Sequence, residues 1–401
     1  MKKVLILFLS IFFTFSLKSQ DVNYDDILGG NLNTITTAVP FLLISPDSRS
    51  GAMGDVGVAT APDAASMHWN PAKLSFTKDD IGVSVSIVPW LRELVPDINL
   101  QYIGGYYKLN NNEALGYELR YFSLGDITFT DNTGNVIGQY KPNELALGTS
   151  YSRKLSRDFS IAISGRYIYS NLTGGQSAGG TETIAGQSIA ADISTFYTRP
   201  ISIADNKSEL SFGMNISNIG NKISYTETIT RDFIPINLRL GTDLTTEIDE
   251  YNKFSFAIDL NKLLVPSPPL YDENGDMIAG KDPEVSVVSG MFQSFGDAPG
   301  EIDENGNPVP GSIFKEEMRE INISTGFEYW YANQFALRAG YFHEHDTKGG
   351  RKYLTFGSGV KYNVFALDFS YLISTSNIGG SNPLANTMRF TLVFDLGSMG
   401  N

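Results

Sequence analysis

Between residues 81 and 396 apolar and polar side chains alternate with a period of two. In 144–153, Leu145, Leu147, Thr149 and Tyr151 share one side, while Ala146, Gly148, Ser150 and Ser152 share the other. The same rhythm puts Phe159, Ile161, Ile163, Tyr167 and Tyr169 opposite Ser160, Ala162, Ser164 and Arg166. It recurs in Phe254, Phe256, Ile258 and Leu260, and again in Phe390, Leu392, Phe394 and Leu396. Successive side chains of a strand point to opposite faces, so each run reads as one strand with an apolar and a polar face. About fourteen such runs are expected, near 81–88, 98–109, 113–122, 143–154, 158–170, 187–198, 209–217, 234–246, 251–261, 318–331, 335–343, 351–362, 365–375 and 386–396.

A soluble sandwich also alternates, but two features favour a closed transmembrane barrel. The polar faces carry charges in mid-strand: Glu118, Arg120, Arg166, Asp192, Arg239, Asp259, Arg338 and Asp368. Inside a barrel these meet one another or water, and the runs are long enough to cross a bilayer at a tilt. In lipid only helices and closed barrels satisfy every backbone group. Aromatics at strand ends (Tyr106, Tyr107, Tyr121, Phe122, Tyr329, Trp330, Tyr331) suit interfacial girdles. Connections then alternate between short and long. The short ones include 110–112, 155–157, 247–250, 332–334 and 363–364, and the long ones 89–97, 123–142, 171–186, 218–233, 262–317 and 376–385. Short periplasmic turns and long external loops are the pattern of outer-membrane barrels, with the N-terminal segment periplasmic.

The N-terminus fits that destination. Lys2 and Lys3 precede the apolar run 4–17, and Lys18-Ser19-Gln20 follows it, so residues 1–20 read as a cleaved signal peptide. A fourteen-residue, mainly apolar run is short for a spanning helix. The expected organisation is therefore signal peptide 1–20, periplasmic N-terminal or hatch segment 21–80, and barrel 81–401.

Composition removes several chemistries. The formal charge of −14, falling to −17 once Lys2, Lys3 and Lys18 are lost, opposes nucleic-acid binding. There is no cysteine, hence no disulfide, thiolate metal site or Cys nucleophile. The histidines are His68, His343 and His345; the last two read as a solvated rim, and neither a metal site nor a catalytic set is expected. Gly51, Gly54 and Gly57 lack the strand–turn–helix context of a dinucleotide site. Asp131–Asn135, Asp272–Asp276 and Asp303–Asn307 have glycine at the fourth position, which is turn chemistry and not a calcium loop. No cofactor is expected.

Two segments carry a resemblance. Arg49-Ser50-Gly51-Ala52-Met53-Gly54, Val58-Ala59, Asp63-Ala64-Ala65-Ser66 and Trp69-Asn70-Pro71-Ala72-Lys73-Leu74 resemble the N-terminal hatch of FadL-like outer-membrane proteins. The hatch residues singled out are Gly51, Gly54, Trp69, Asn70 and Pro71. Residues 88–100, VPWLRELVPDINL, resemble the first external loop of the PorV family of type IX secretion in Bacteroidetes. One departure is the C-terminus, which runs past Phe394 to Asn401 where many barrels end on an aromatic residue.

The resemblance implies an all-β, FadL-like barrel of about fourteen antiparallel strands in the outer membrane, without enzymatic activity. It implies partners as well: a translocon barrel of the SprA or Sov type, cargo proteins carrying a type IX C-terminal domain, a PorU-type sortase attachment complex, and outer-membrane lipid. Apolar residues in an external loop point to a partner contact, so Pro89, Trp90, Leu91, Leu94 and Val95 are the candidate binding residues. The loop 262–317 is a second candidate surface. The alternatives are a FadL-type channel for hydrophobic small molecules and, more remotely, a lipid A deacylase.

Overall fold

A computed structural model describes residues 32–91, 95, 97–130, 133–175, 182–226, 231–272, 274–303, 309–375 and 386–397. The chain divides into two units, Met1–Leu32 and Asn33–Asn401, and only the second is described beyond a single residue. The expected signal peptide lies outside the described residues.

The second unit holds fourteen barrel strands: β1 Ile81–Pro89, β2 Asn99–Asn110, β3 Glu113–Ser123, β6 Asn143–Lys154, β7 Phe159–Asn171, β8 Gly186–Ile203, β9 Asn206–Gly220, β10 Asn237–Glu247, β11 Asn252–Leu263, β14 Asn322–Tyr331, β15 Phe335–His343, β16 Lys352–Tyr362, β17 Phe365–Ser374 and β18 Met388–Leu396. Each pairs antiparallel with its neighbours, and β18 returns to β1 to close the barrel. Two small hairpins stand in the long loops, β4 Ile127–Thr130 with β5 Val136–Tyr140, and β12 Leu270–Tyr271 with β13 Met277–Ala279. Among the described residues there are also four short α-helices, α1 Ser48–Gly51, α2 Ser66–Trp69, α3 Val287–Gln293 and α4 Ser312–Arg319, and three 3-10 turns, Pro40–Leu43, Pro71–Phe76 and Asp346–Lys348.

Alternation sets which side each residue faces. Ile163, Ile189, Leu337 and Leu367 are exposed on the outer surface, where lipid replaces water, whereas the mid-strand charges are buried within the barrel. The same alternation corrects the aromatic girdle. Neighbouring residues cannot both face lipid, so Tyr107 and Tyr331 are exposed but Tyr106 and Phe122 turn inward. Trp330 faces inward too, with the Arg338 guanidinium 5.4 Å from its ring centroid.

Loop lengths alternate as the sequence reading expects. At one end are tight turns such as 204–205, 332–334 and 363–364; at the other are 90–98, 124–142, 172–185, 221–236 and 264–321. Several boundaries move, and β10 begins at Asn237, where 234 was expected. Strands β8 and β9 run on into 199–208 and meet at Ala204–Asp205, both in the left-handed region. The run expected from 318 begins instead at 322, because α4 occupies 312–319. Its Lys-Glu-Glu-Met-Arg sequence favours helix.

Residues 33–80 run through the lumen, packed against its wall. Asn33 N–H donates to Thr347 O at 3.1 Å at the long-loop end, and Ser75 N–H donates to Ser152 Oγ at 3.3 Å near the short turns. In between, the segment bonds to strands around the barrel: Ser48 N–H to Thr391 Oγ1 at 2.8 Å, Gly54 N–H to Thr355 Oγ1 at 2.8 Å, and Ala72 N–H to Ser194 Oγ at 3.2 Å. Small residues and inward hydroxyls let backbone approach wall closely, and buried backbone groups find partners there.

Candidate functional site: the plugged lumen and the barrel mouth

The lumen is layered. At the long-loop end the inward positions are apolar: Val88, Leu100, Phe122, Ala146, Ile168 and Ala190. Phe41 and Leu42 of the plug fill this layer, and the Phe41 and Phe122 rings stack with centroids 6.1 Å apart. Burying each such side chain is worth about 1.5–3 kcal/mol. At the short-turn end Met67 and Leu74 pack on Tyr106, and Phe76 meets Phe196 edge-on at 5.5 Å.

The middle layer is ionic. Arg166 bridges Glu118, at 2.7 Å, and Asp192, at 3.0 Å, while Glu118 also holds Arg120 at 2.9 Å. A second network joins Arg49 of the plug to Glu328 and to Asp63, each at 2.8 Å. It continues from Glu328 to Arg338 at 2.7 Å and from Arg338 to Asp368 at 2.5 Å. Asp259 accepts from Gly57 N–H at 2.7 Å and Val58 N–H at 3.0 Å. Of the expected lumen charges, Arg120, Arg239 and Asp259 reach the plug, at Leu42 O, His68 O and the Gly57 and Val58 N–H groups, and the others pair along the wall. Sequence reading missed Glu328 and its ion pair with Arg49 of the plug, because nothing local announces which wall residue Arg49 will meet.

The hatch residues act structurally in this seat. Trp69 Nε1 donates to Asp47 Oδ1 at 2.7 Å. Asn70 donates to Val58 O and Thr195 O, both at 2.9 Å, and its Oδ1 accepts from Ala72 N–H, capping the 3-10 turn that Pro71 opens. The Gly51 backbone lies against Arg389, and Gly54 sits at φ 70°.

At the mouth, Pro89 ends β1 opposite Asn99, and Trp90 N–H donates to Ile98 O at 3.0 Å. Trp90 and Leu91 are half-buried. Both pack on the plug's apolar cluster and on a second cluster of Phe342, Tyr353 and Leu372. Val95 is exposed, and its N–H donates to Leu91 O at 3.0 Å. Leu94 lies outside the described residues. The expected loop contact therefore divides into an inward pair that ties loop to plug and an outward Val95.

Two of the three histidines, His68 and His345, have local partners. His68 is buried beside Arg120, and its carbonyl accepts from Arg239 at 3.2 Å. His345 Nδ1 faces Thr347 Oγ1 at 3.0 Å and caps a short turn; burial and Arg319 hold its pKa below the usual histidine range. Among the described residues no group of three or more His, Cys, Asp or Glu side chains could hold a metal. The turn at 272–276 is closed by Asp272, which accepts from Asn274 N–H and Asp276 N–H at 2.9 and 2.8 Å.

The long loop 264–321 is anchored by a third buried network. Lys262 binds Glu317 at 3.0 Å and Glu320 at 2.7 Å, and Lys348 binds Glu316 at 2.6 Å and Glu320 at 3.0 Å. Beside it Asp297 is buried, with Oδ2 accepting from Ser267 N–H at 3.2 Å and Oδ1 without a hydrogen-bond partner. Burial pushes its carboxyl up to about 6, against the pull of the Ser267 N–H, and Glu317 and Glu320 add to the rise. A carboxyl raised in the folded loop favours the protonated form. Its contribution to loop stability is full below about pH 4 and is lost as pH rises toward 6. Limited proteolysis of 264–321 is therefore expected to slow as pH falls from 7 to 5, and Asp297→Asn to give the slow rate at both. Equal pH dependence in the variant would remove Asp297 as the cause.

Comparison with known proteins adds the following. The family described as Type IX secretion system protein PorV matches residues 29–270. No curated protein matches the chain in sequence. Among solved structures, the Ralstonia pickettii toluene transporter TbuX is 10% identical with a TM-score of 0.45, over 91% of this chain and 98% of that one. The CymD monoaromatic hydrocarbon channel is 13% identical with a TM-score of 0.46, over 89% and 99%. A Pseudomonas aeruginosa FadL homologue is 10% identical with a TM-score of 0.43, over 90% and 99%. These structural likenesses are too distant to carry an argument about this chain.

Proposed function

The chain belongs to the PorV family of type IX secretion system proteins, and from that premise we propose that it is a non-enzymatic outer-membrane component that binds secreted cargo. It engages the C-terminal domain of cargo at a SprA- or Sov-type translocon barrel and passes it to a PorU-type attachment complex. Its own route to the membrane is a cleaved signal peptide. The observation that carries this reading is the family match, which spans the plug and the wall from β1 through β11. The barrel mouth supports recognition in place of conduction. A channel for hydrophobic small molecules calls for an apolar lumen pocket with a lateral opening in the wall, whereas here the described strands close the wall and Phe41, Leu42, Trp90 and Leu91 pack into the apolar layer.

The external loop is the proposed contact, through Pro89, Trp90, Leu91, Leu94 and Val95. Affinity recovery of the tagged protein from its native outer membrane tests it, with mass spectrometry of what accompanies it. A very large barrel and secreted proteins sharing a C-terminal domain are expected. Trp90→Ala with Leu94→Ala is expected to lower their recovery about tenfold, the loss of one hot-spot pair. A gel shift on heating confirms that the variant barrel has closed. Unchanged recovery would show that the loop assignment is wrong, and recovery of the barrel with lipid alone would favour the channel.

A further inference from the structure

Three segments of the chain meet at the long-loop end on a single oxygen atom. Glu316 of α4 turns Oε1 toward Asn33, at the start of the plug, and toward Lys348, in the turn between β15 and β16. Asn33 Nδ2 donates to that oxygen at 3.1 Å and the Lys348 ammonium at 2.6 Å. Asn33 is held from two further sides: its N–H donates to Thr347 O at 3.1 Å, and Nδ2 also donates to Pro268 O at 3.1 Å. Glu316 is fixed as well, because Oε2 accepts from Gly300 N–H at 2.7 Å. Asn33 and Lys348 are only 6% and 7% exposed.

An ionic anchor does not call for this set. Lys262, in the same network, is met by two carboxylates, Glu317 and Glu320. At Lys348 a carboxamide stands on the carboxylate oxygen that the ammonium uses. A primary amine, a carboxamide and a carboxylate that touches both are the parts of an exchange of amine for ammonia. The lysine supplies the nucleophile and Asn33 Cγ the acceptor. The carboxylate lies within hydrogen-bond reach of both reacting groups and can carry protons between them. Burial keeps water from the acceptor carbon. Fixed orientation supplies an effective concentration of roughly 10⁵ M or more, which no free amine reaches.

We propose that Lys348 and Asn33 become joined by an isopeptide bond, with Glu316 as the proton carrier. The Lys348 ammonium passes one proton to Glu316, and the freed electron pair on Nζ attacks Asn33 Cγ. The carbonyl re-forms as the Cγ–Nδ2 bond breaks. Nδ2 takes up the proton held by Glu316 and a second one from Nζ, and leaves as ammonium. Glu316 ends as the carboxylate it began as, and no oxidant, reductant or further reactant is consumed. The product fastens the plug's outer end to the wall, so that a pull on the plug is borne by a covalent bond. The bond is independent of the secretion role and would form equally in a channel.

Mass spectrometry of the full-length protein, taken from its native membrane and digested with trypsin, tests the bond directly. The peptide that ends at Arg49 is expected joined to 339–351, uncut at Lys348 and lighter than the two together by one ammonia. A gel reads the same bond, because Asn33 and Lys348 lie on opposite sides of the 264–321 loop. Protein cut once within that loop and then denatured should run as one band. Lys348→Arg keeps the cation and Glu316→Gln keeps the shape of the site. Each should lower the joined fraction about tenfold or more, in barrels that a gel shift on heating shows to be closed. Where a variant fails to close, the digest of the unaltered chain still decides. Finding the two peptides free in that digest overturns the proposal and leaves an ion-paired anchor only. A joined product lighter by one water places the bond on a glutamate and overturns it too, as does a bond that persists in Lys348→Arg.

Discussion

Arg166→Met is expected to lower the stability of the barrel by about 3 kcal/mol, the low end of the cost of removing one partner of a buried ion pair. Arg166 Nε donates to Glu118 Oε1 at 2.8 Å, its two terminal nitrogens donate to Asp192 at 3.1 and 3.0 Å, and one of them also donates to Asn218 Oδ1. Methionine matches the length of the stem and removes every donor. Glu118 would keep Arg120, but Asp192 would keep only Asn218 N–H at 2.7 Å. A buried carboxylate in that condition costs more than the pair contributed, because its lost hydration is no longer offset. Adding Asp192→Asn to Arg166→Met should recover more than half of the loss, since the stranded charge goes with it. Urea unfolding in bilayers measures both variants. A single-variant loss below about 1 kcal/mol would mean that lumen water replaces Arg166, and the middle layer would then not hold the wall together.

That layer shows where sequence reading succeeds and stops. Period-two alternation depends only on neighbours in the chain, so the inward placement of Glu118, Arg166, Asp259 and Arg338 was legible strand by strand. Their partners were not. Arg49 meets Glu328 across 279 positions, and only barrel closure decides that register. The aromatic pairs went astray for the same reason in reverse: composition grouped Tyr106 with Tyr107, while alternation separates them. In the long loop, Pro, Gly and acids concealed two helices too short to show a period until their ends are known. The candidate contact was legible as apolar residues in an external loop. That Trp90 and Leu91 turn back onto Phe41 and Phe342 was not, because the plug's path through the mouth is a long-range fact.

Gly340→Val is expected to unseat the plug while leaving the wall closed. Gly340 faces inward from β15, and a Cβ there would lie 2.1 Å from both Gly54 N and the Met53 carbonyl carbon. Gly54 cannot withdraw. It occupies φ 70°, and its own missing Cβ would stand 2.6 Å from Tyr341 N. The contact is backbone against backbone, so no rotamer relieves it. The segment must move, and with it go Gly54 N–H to Thr355 Oγ1 at 2.8 Å and Thr355 Oγ1–H to Ala52 O at 2.9 Å. Ladder bonds of β15 run along the wall and not across the lumen, so a side chain at 340 leaves them in place. The barrel should still shift on a gel when heated, whereas cleavage within 47–60 and entry of small hydrophilic solutes into proteoliposomes should each rise about tenfold or more. Gly340→Ala is expected to do the same in lesser degree, because the first carbon already overlaps. A sealed lumen and an uncut plug in Gly340→Val would mean that the ionic layer alone holds the segment, and the close approach of 51–57 to the wall would be a consequence of seating and not its cause.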